Sequence, residues 1–129
     1  MSIKALYIHV PFCAHICAYC DFMRVGYHPK LVQDYISALA LEIKGYDLSS
    51  VDTVYFGGGT PSLLSEQQLG KILNAIFSNY EFSSNIEQSI ELNPDDITID
   101  YLQSLKKLGF NRLSIGVQSL NDKTLKYLN

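Results

Sequence analysis

A chain of 129 residues, 47% hydrophobic and with a formal net charge of -3, has the size and apolar fraction to fold around one core. Its ten basic residues are spread along the chain without a cluster, which leaves no electrostatic footprint for a phosphate backbone and argues against nucleic acid as a partner. Residues 1–20 lack the basic start and unbroken apolar core of a secretory signal, and no apolar run approaches the roughly 20 residues of a membrane span, so the expected location is the cytoplasm.

Lys4 to Val10 is a short run rich in β-formers, halted by Pro11, and predicts a first strand. The stretch "PFCAHICAYCDF", residues 11–22, follows directly and holds every cysteine of the chain, three thiols with no fourth to pair with the odd one. From about Pro29 to Tyr46, the residues Leu31, Tyr35, Ala38, Leu39, Leu41 and Ile43 recur near helical spacing, and Gly45 sits where a helix can end. Val51 to Phe56 is a second apolar run, closed by "GGGTP" at 57–61; Ser65 and Gln68 then have capping-box spacing at the mouth of a helix running towards Tyr80. Ile86 to Leu92 predicts a third strand, ended by "NPDD". Thr98 caps a short helix with Leu102, Leu105 and Leu108 on one face and Gly109 at its exit. "RLSIGVQ", 112–118, predicts a fourth strand, and Asn121 begins a last helix.

Strands alternating with helices predict an α/β fold with a parallel sheet built by right-handed crossovers. Along the first strand Leu6, Ile8 and Val10 share one face and Tyr7 and His9 the other. In the third, Ile90 and Leu92 oppose Ser89 and Glu91; in the fourth, Leu113, Ile115 and Val117 oppose Ser114, Gly116 and Gln118. A sheet covered by helices on both sides is aliphatic on both faces. One polar or small face predicts a curved sheet, with helices outside and a concave side that meets a polar ligand. A closed barrel of eight such units needs about 250 residues, so residues 1–129 are expected to be the N-terminal part of a longer domain. The fourth strand would then present an unpaired edge, and the part alone is expected to be inactive.

Three readings of the cysteines stay open on spacing alone. Cys13, Cys17 and Cys20 lie at i, i+4 and i+7, which would form one face of a helix, with Phe12, Ile16 and Tyr19 extending a buried stripe. Zinc accepts three cysteines with one of His9, His15 or His28. An iron–sulfur cluster held by three thiolates leaves one iron free to bind a substrate. In a reducing cytosol an odd, clustered set of thiols points to metal binding or chemistry in place of a disulfide. "GGGTP" fits neither dinucleotide nor P-loop patterns; it reads either as a tight turn or as backbone opened to a small ligand. His9, His15 and His28 read as packing or surface residues.

Together these stretches resemble the radical S-adenosylmethionine (SAM) superfamily, and within it the coproporphyrinogen oxidase-like group. The cysteine spacing with an aromatic residue, Tyr19, before the third cysteine is similar to the superfamily's cluster motif. "YIHVPFC", "YFGGGTPSLL", "ELNPDD" and "NRLSIGVQSLND" are similar to that group's successive blocks, from Tyr7 to about Asp122. The resemblance implies the N-terminal portion of a partial (β/α) barrel of the TIM type. It implies that Cys13, Cys17 and Cys20 ligate a [4Fe-4S] cluster whose remaining iron takes the amino and carboxylate groups of SAM. By the same resemblance Tyr7 lies beside the sulfonium, Tyr19 near the adenine, and Gly58, Gly59 and Thr60 at the methionyl end, with Glu91 and Gln118 as further SAM contacts. An electron from the cluster would cleave SAM to methionine and a 5′-deoxyadenosyl radical.

Within the group, the oxygen-independent coproporphyrinogen III oxidases carry a Gly-Cys pair after the third cysteine. Asp21 and Phe22 stand there in this chain, and "CDF" is similar to the HemW-type heme chaperones, which bind the cluster and SAM but deliver heme. The partners this implies are heme or a porphyrin, a reductant protein such as flavodoxin or ferredoxin, and a heme-acceptor protein, with a membrane reached only through that acceptor. The heme site itself is expected beyond residue 129. A coproporphyrinogen oxidase and a zinc-stabilised binding domain are the alternatives.

Overall fold

The computed structural model describes residues 4–48 and 50–128. In chain order the elements are β1 (Ala5–Val10), β2 (Phe12–Cys13), β3 (Val25–Gly26), α1 (Pro29–Ile43), β4 (Val51–Gly58), α2 (Glu66–Asn79), β5 (Phe82–Leu92), α3 (Ile99–Lys107), β6 (Arg112–Ile115) and α4 (Asp122–Leu128). Single 3-10 turns at Pro61–Leu63 and Pro94–Asp96 follow β4 and β5. The main sheet has the order β1-β4-β5-β6, and every pair is parallel. Sequential parallel strands joined through helices are an arc of a (β/α) barrel.

Local chemistry sets the helix boundaries. Pro29 opens α1, where its missing N–H costs nothing. Ser65 and Gln68 form a reciprocal capping box at α2, the Gln68 amide donating to Ser65 Oγ at 3.3 Å and the Ser65 amide to Gln68 Oε1 at 2.8 Å. Thr98 caps α3 by accepting from the Tyr101 amide at 3.1 Å. That helix ends at Gly109, whose φ of 94° lies in the left-handed region. Its last turn carries Lys106 and Lys107, the favourable sign for the dipole.

The core lies between the sheet and the helices. Ile8, Val10, Val54, Phe56, Ile90 and Leu92 meet Val32, Ile36, Leu39 and Ile43 of α1 and Leu69, Ile72, Leu73 and Ile76 of α2. The buried stripe of α1 differs from the one expected: Leu31 and Leu41 are exposed. Val32, Ile36, Leu39 and Ile43 step by 4, 3 and 4, which keeps four large side chains on one line, whereas Leu31 and Leu41 lie well off it.

The strands also depart from expectation. β4 runs through Gly58, two residues past Phe56, because β1 offers His9 and Val10 as partners for Gly57 and Gly58. β5 begins at Phe82, four residues early, since Phe82 pairs with Val51. β6 stops at Ile115 because β5, its neighbour, ends at Leu92; the Gly116 amide bonds to the Leu92 carbonyl, and the chain then turns through short bonds from Val117 to Ile115 and from Ser119 to Val117. The two-residue strands β2 and β3 were not anticipated. They pair in parallel and close the cysteine segment at its base. Leu113 and Ile115, on the helix side of β6, are exposed. Among the described residues no helix is long and apolar enough to cross a membrane.

Tyr35 ties α1 to the sheet, its hydroxyl donating to the His9 carbonyl and its ring meeting Phe12 edge-on at 5.3 Å. Burial, with help from Glu42 and Tyr7, pushes its phenol up to about 12. The folded state therefore holds this proton more tightly than the unfolded chain. The contribution is complete below the ordinary tyrosine value and is lost as pH rises towards 12. Tyr35→Phe is expected to remove about 1 kcal/mol at neutral pH and to flatten the alkaline loss of stability, measured by urea unfolding between pH 8 and 11.

Candidate metal and cofactor site

The polar side chains gather on the concave face, at the C-terminal ends of the strands. Register aligns Tyr7 with Tyr55 and Tyr55 with Ser89 across β1, β4 and β5, and Glu91 with Ser114 across β5 and β6. Tyr7 and Tyr55 stack at 5.8 Å and 18°. Tyr55 donates to Glu91 Oε1 at 2.6 Å, while the Gly58 amide donates to Glu91 Oε2 at 3.1 Å. The carboxylate is thus fixed by both oxygens, one on a strand side chain and one on the glycine turn. Burial and then the bond to Glu91 push the Tyr55 phenol up to about 12, so it stays a donor. Tyr7 is raised in the same direction by burial and the Glu91 charge.

The cysteine segment leaves β1 at Pro11. Cys13 is buried at the end of β2, and Cys17 and Cys20 are half-buried in the loop that follows; all three thiols are free. That loop is not a helix, so the buried-stripe reading fails: Phe12 enters the core, but Ile16 and Tyr19 are exposed. Bends and a turn carry the chain instead, with the Cys20 amide reaching the Cys17 carbonyl at 3.3 Å. At the base, Val25 N–H bonds to the Pro11 carbonyl at 2.8 Å and Tyr27 N–H to the Cys13 carbonyl at 3.0 Å. Tyr19 sits by two thiols: burial, a hydrogen bond to Cys17, and the charges of Cys17 and Cys20 all raise its phenol.

His9 braces the loop from below. Its Nε2 lies 3.0 Å from the Met23 carbonyl, which can only accept, so in the neutral ring Nε2 carries the hydrogen and Nδ1 accepts from the Tyr7 hydroxyl at 3.3 Å. His15 and His28 are exposed; His28 precedes α1 without capping it through its side chain.

The glycine turn lies against this loop. Gly58 has a φ of 117°, which a residue with a side chain rarely adopts. A Cβ on Gly59 would lie 2.7 Å from the Phe12 carbonyl oxygen and 2.9 Å from Cys13 Sγ. The amides of Gly59 and Thr60 bond to the carbonyls of Val10 and Phe12, each at 2.7 Å. Farther along, Ser62 donates to Asp96 at 2.5 Å and accepts from the Asn93 amide at 3.0 Å, tying the turn after β4 to the turn after β5.

The structure thus brings Tyr7, Gly58, Gly59, Thr60 and Glu91 together with the base of the loop bearing Cys13, Cys17, Cys20 and Tyr19. Gln118 reaches the same end of the sheet by another route, its Nε2 lying 3.1 Å from where a Cβ on Gly116 would stand. It lies three residues past the end of β6 with a φ of 62°, so strand parity does not set its direction. Two residues were missed. Tyr55 has the parity of Tyr7 and Glu91 and was legible from it; Arg24, a lone basic residue after the last cysteine, hydrogen-bonds the carbonyls of Cys17, Cys20 and Phe22. His9, read as a packing or surface residue, packs against Tyr7 and the Met23 carbonyl.

Among the described residues no three His, Cys, Asp or Glu side chains already meet in a geometry that holds a metal ion. The donor chemistry nevertheless fits a three-thiolate cluster. Three free thiols lie on one loop closed at its base, beside a glycine whose missing Cβ leaves room for Cys13 Sγ.

Residues 7–129 match the Radical SAM superfamily. The chain is 40% identical over 123 residues to the heme chaperone HemW of Lactococcus lactis, covering 95% of this chain and 32% of the relative. It is 41% identical over 128 residues to HemW of Bacillus subtilis, covering 95% and 34%. The oxygen-independent coproporphyrinogen III oxidase of Salmonella typhimurium is 34% identical over 130 residues, covering 97% and 28%. Among solved structures, Escherichia coli coproporphyrinogen III oxidase (HemN), described as a radical SAM enzyme, superposes with a TM-score of 0.90 at 32% identity over 98% of this chain and 30% of that one. Elp3 of Methanocaldococcus infernus shares the fold alone, with a TM-score of 0.53 at 19% identity over 98% of this chain and 32% of that one. The chain spans about a third of the length of these relatives. It belongs to the radical SAM superfamily, and that membership implies a [4Fe-4S] cluster and SAM as its cofactors.

Proposed function

We propose that the protein is a cytoplasmic heme chaperone of the HemW type, with a cluster held by Cys13, Cys17 and Cys20 and SAM bound along the concave face. One observation carries the choice of chaperone: Asp21 and Phe22 follow the third cysteine, so the position where the oxidases place a further thiol holds an exposed phenyl ring instead. The higher identity to HemW relatives, 40% and 41% against 34% for an oxidase, supports it. The oxidase is the second reading, favoured by the close superposition on HemN.

When bound, the reduced cluster supplies the electron that cleaves the sulfonium of SAM. The chain's own residues bind and orient. Glu91, already fixed by Tyr55 and Gly58, keeps lone pairs free to accept from an ammonium group. Gly58, Gly59 and Thr60 bring backbone close to the methionyl end, Tyr7 borders the sulfonium, Tyr19 the adenine, and Gln118 supplies a further contact from beyond β6. Heme, a reductant such as flavodoxin or ferredoxin, and a heme-acceptor protein are the partners of this function.

Assayed anaerobically with reductant, SAM and coproporphyrinogen III, the protein is expected to form no protoporphyrinogen and to pass bound heme to an apo-acceptor; sustained protoporphyrinogen formation would establish the oxidase instead. Serine in place of Cys13, Cys17 or Cys20 should abolish cluster iron and sulfide after reconstitution. Stoichiometric zinc that iron and sulfide cannot displace from the parent protein would refute the cluster. Tyr55→Phe should keep its full iron content while weakening SAM about tenfold, or ~1.4 kcal/mol, by calorimetry; unchanged affinity would remove Glu91 from the SAM contacts.

A further inference from the structure

The segment after the third cysteine is turned inside out. From Asp21 to His28 every residue is exposed except Arg24. Phe22 and Met23, the apolar residues beside it, are 66% and 79% exposed. Burial of hydrocarbon and hydration of charge both favour the opposite arrangement, so the inward arginine has a compensating partner. Part of that partner is backbone: the guanidinium donates to the carbonyls of Cys20, of Phe22 at 3.1 Å and of Cys17 at 3.2 Å. Two of those three carbonyls belong to residues that carry thiols. A planar fork satisfies such a set where a lysine ammonium does not. Carbonyl dipoles leave the net charge standing, however. Among the described residues no carboxylate forms an ion pair with Arg24, and its Nε is buried without a hydrogen-bond partner.

Three thiolates around a [4Fe-4S] cubane supply the missing negative charge, and that charge grows by one when the cluster is reduced. We propose that Arg24 is a positioning residue for the cofactor: its guanidinium is the internal counter-charge of the cysteine loop, shaping the loop through three carbonyls and raising the reduction potential of the cluster held there. This rests on the assignment of Cys13, Cys17 and Cys20 as cluster ligands. A fixed cation favours the more negative, reduced state and so moves the potential upward.

Arg24→Gln removes the charge and Arg24→Lys keeps it while losing the fork. In redox titrations of the reconstituted protein followed by electron paramagnetic resonance, Arg24→Gln is expected to shift the midpoint to a more negative value and Arg24→Lys to stay at the parent's. In the metal-free protein, at a pH where the thiols of parent and variants are all ionised, both variants should alkylate Cys17 and Cys20 severalfold faster than the parent, with unchanged far-ultraviolet circular dichroism. A midpoint in Arg24→Gln equal to the parent's overturns the proposal, as does a shift in Arg24→Lys equal to that in Arg24→Gln. Should neither variant take up a cluster, the alkylation rates decide: faster supports a positioning role, unchanged refutes it. If the parent itself binds zinc and no cluster, the ligand assignment has failed, not the role of Arg24 in the loop.

Discussion

Everything at the C-terminal end of the sheet depends on two short backbone hydrogen bonds. The amides of Gly59 and Thr60 reach the carbonyls of Val10 and Phe12, each at 2.7 Å. They continue the pairing of β1 and β4 past the end of both strands, so the cysteine loop and the glycine turn leave the sheet as one joined piece. A side chain at 59 would drive them apart, because its Cβ would meet the Phe12 carbonyl and Cys13 Sγ. The glycine run serves contact between two segments of the chain. A tight turn in "GGGTP" leaves room for a ligand role as well, because the contact engages Gly59 and Thr60 through their amides.

From that joint the site is braced on both sides. Glu91 receives one hydrogen bond from Gly58 and one from Tyr55, which ties β5 to the glycine turn. His9 links Tyr7 to the Met23 carbonyl, which ties β1 to the far limb of the cysteine loop. The short pairing of β2 with β3 closes the base of that loop, and Arg24 gathers its interior carbonyls. The loop is thus a closed ring of backbone bonds with exposed aromatic and apolar residues on its rim. Such polar bracing fixes geometry without needing a hydrophobic core of its own.

The alternation of strands and helices, the concave polar face and the caps of α2 and α3 were legible in the sequence because each rests on local chemistry: period-2 patterning, a Ser-x-x-Gln box, a threonine before an apolar run. What was not legible rests on partners distant in sequence. β2 and β3 are two residues each and exist only because Pro11 and Cys13 present carbonyls to Val25 and Tyr27. The extent of β6 is decided by where β5 ends, which is why Gln118 fell outside the strand that should have oriented it. The α1 stripe was misphased because Leu31 and Leu41 are as hydrophobic as the residues that are buried. Tyr55 could have been found by extending the parity argument to "VYF". Arg24 had no spacing signal, only its isolation among aromatic and apolar neighbours.

One consequence follows from the way the sheet divides its labour. Along β1, β4 and β5 the even-numbered residues Ile8, Val54, Phe56 and Ile90 meet the helices, and the odd-numbered Tyr7, Tyr55 and Glu91 lie on the opposite, concave face. The two layers share a backbone but no side chains, so the helix layer can drift in sequence while the chemistry stands still. A frame slip is another matter. Loss of a single residue within β5 would exchange the faces of that strand beyond the deletion, thrusting the Glu91 carboxylate among aliphatic side chains and Ile90 onto the concave face. This architecture tolerates many replacements and few deletions.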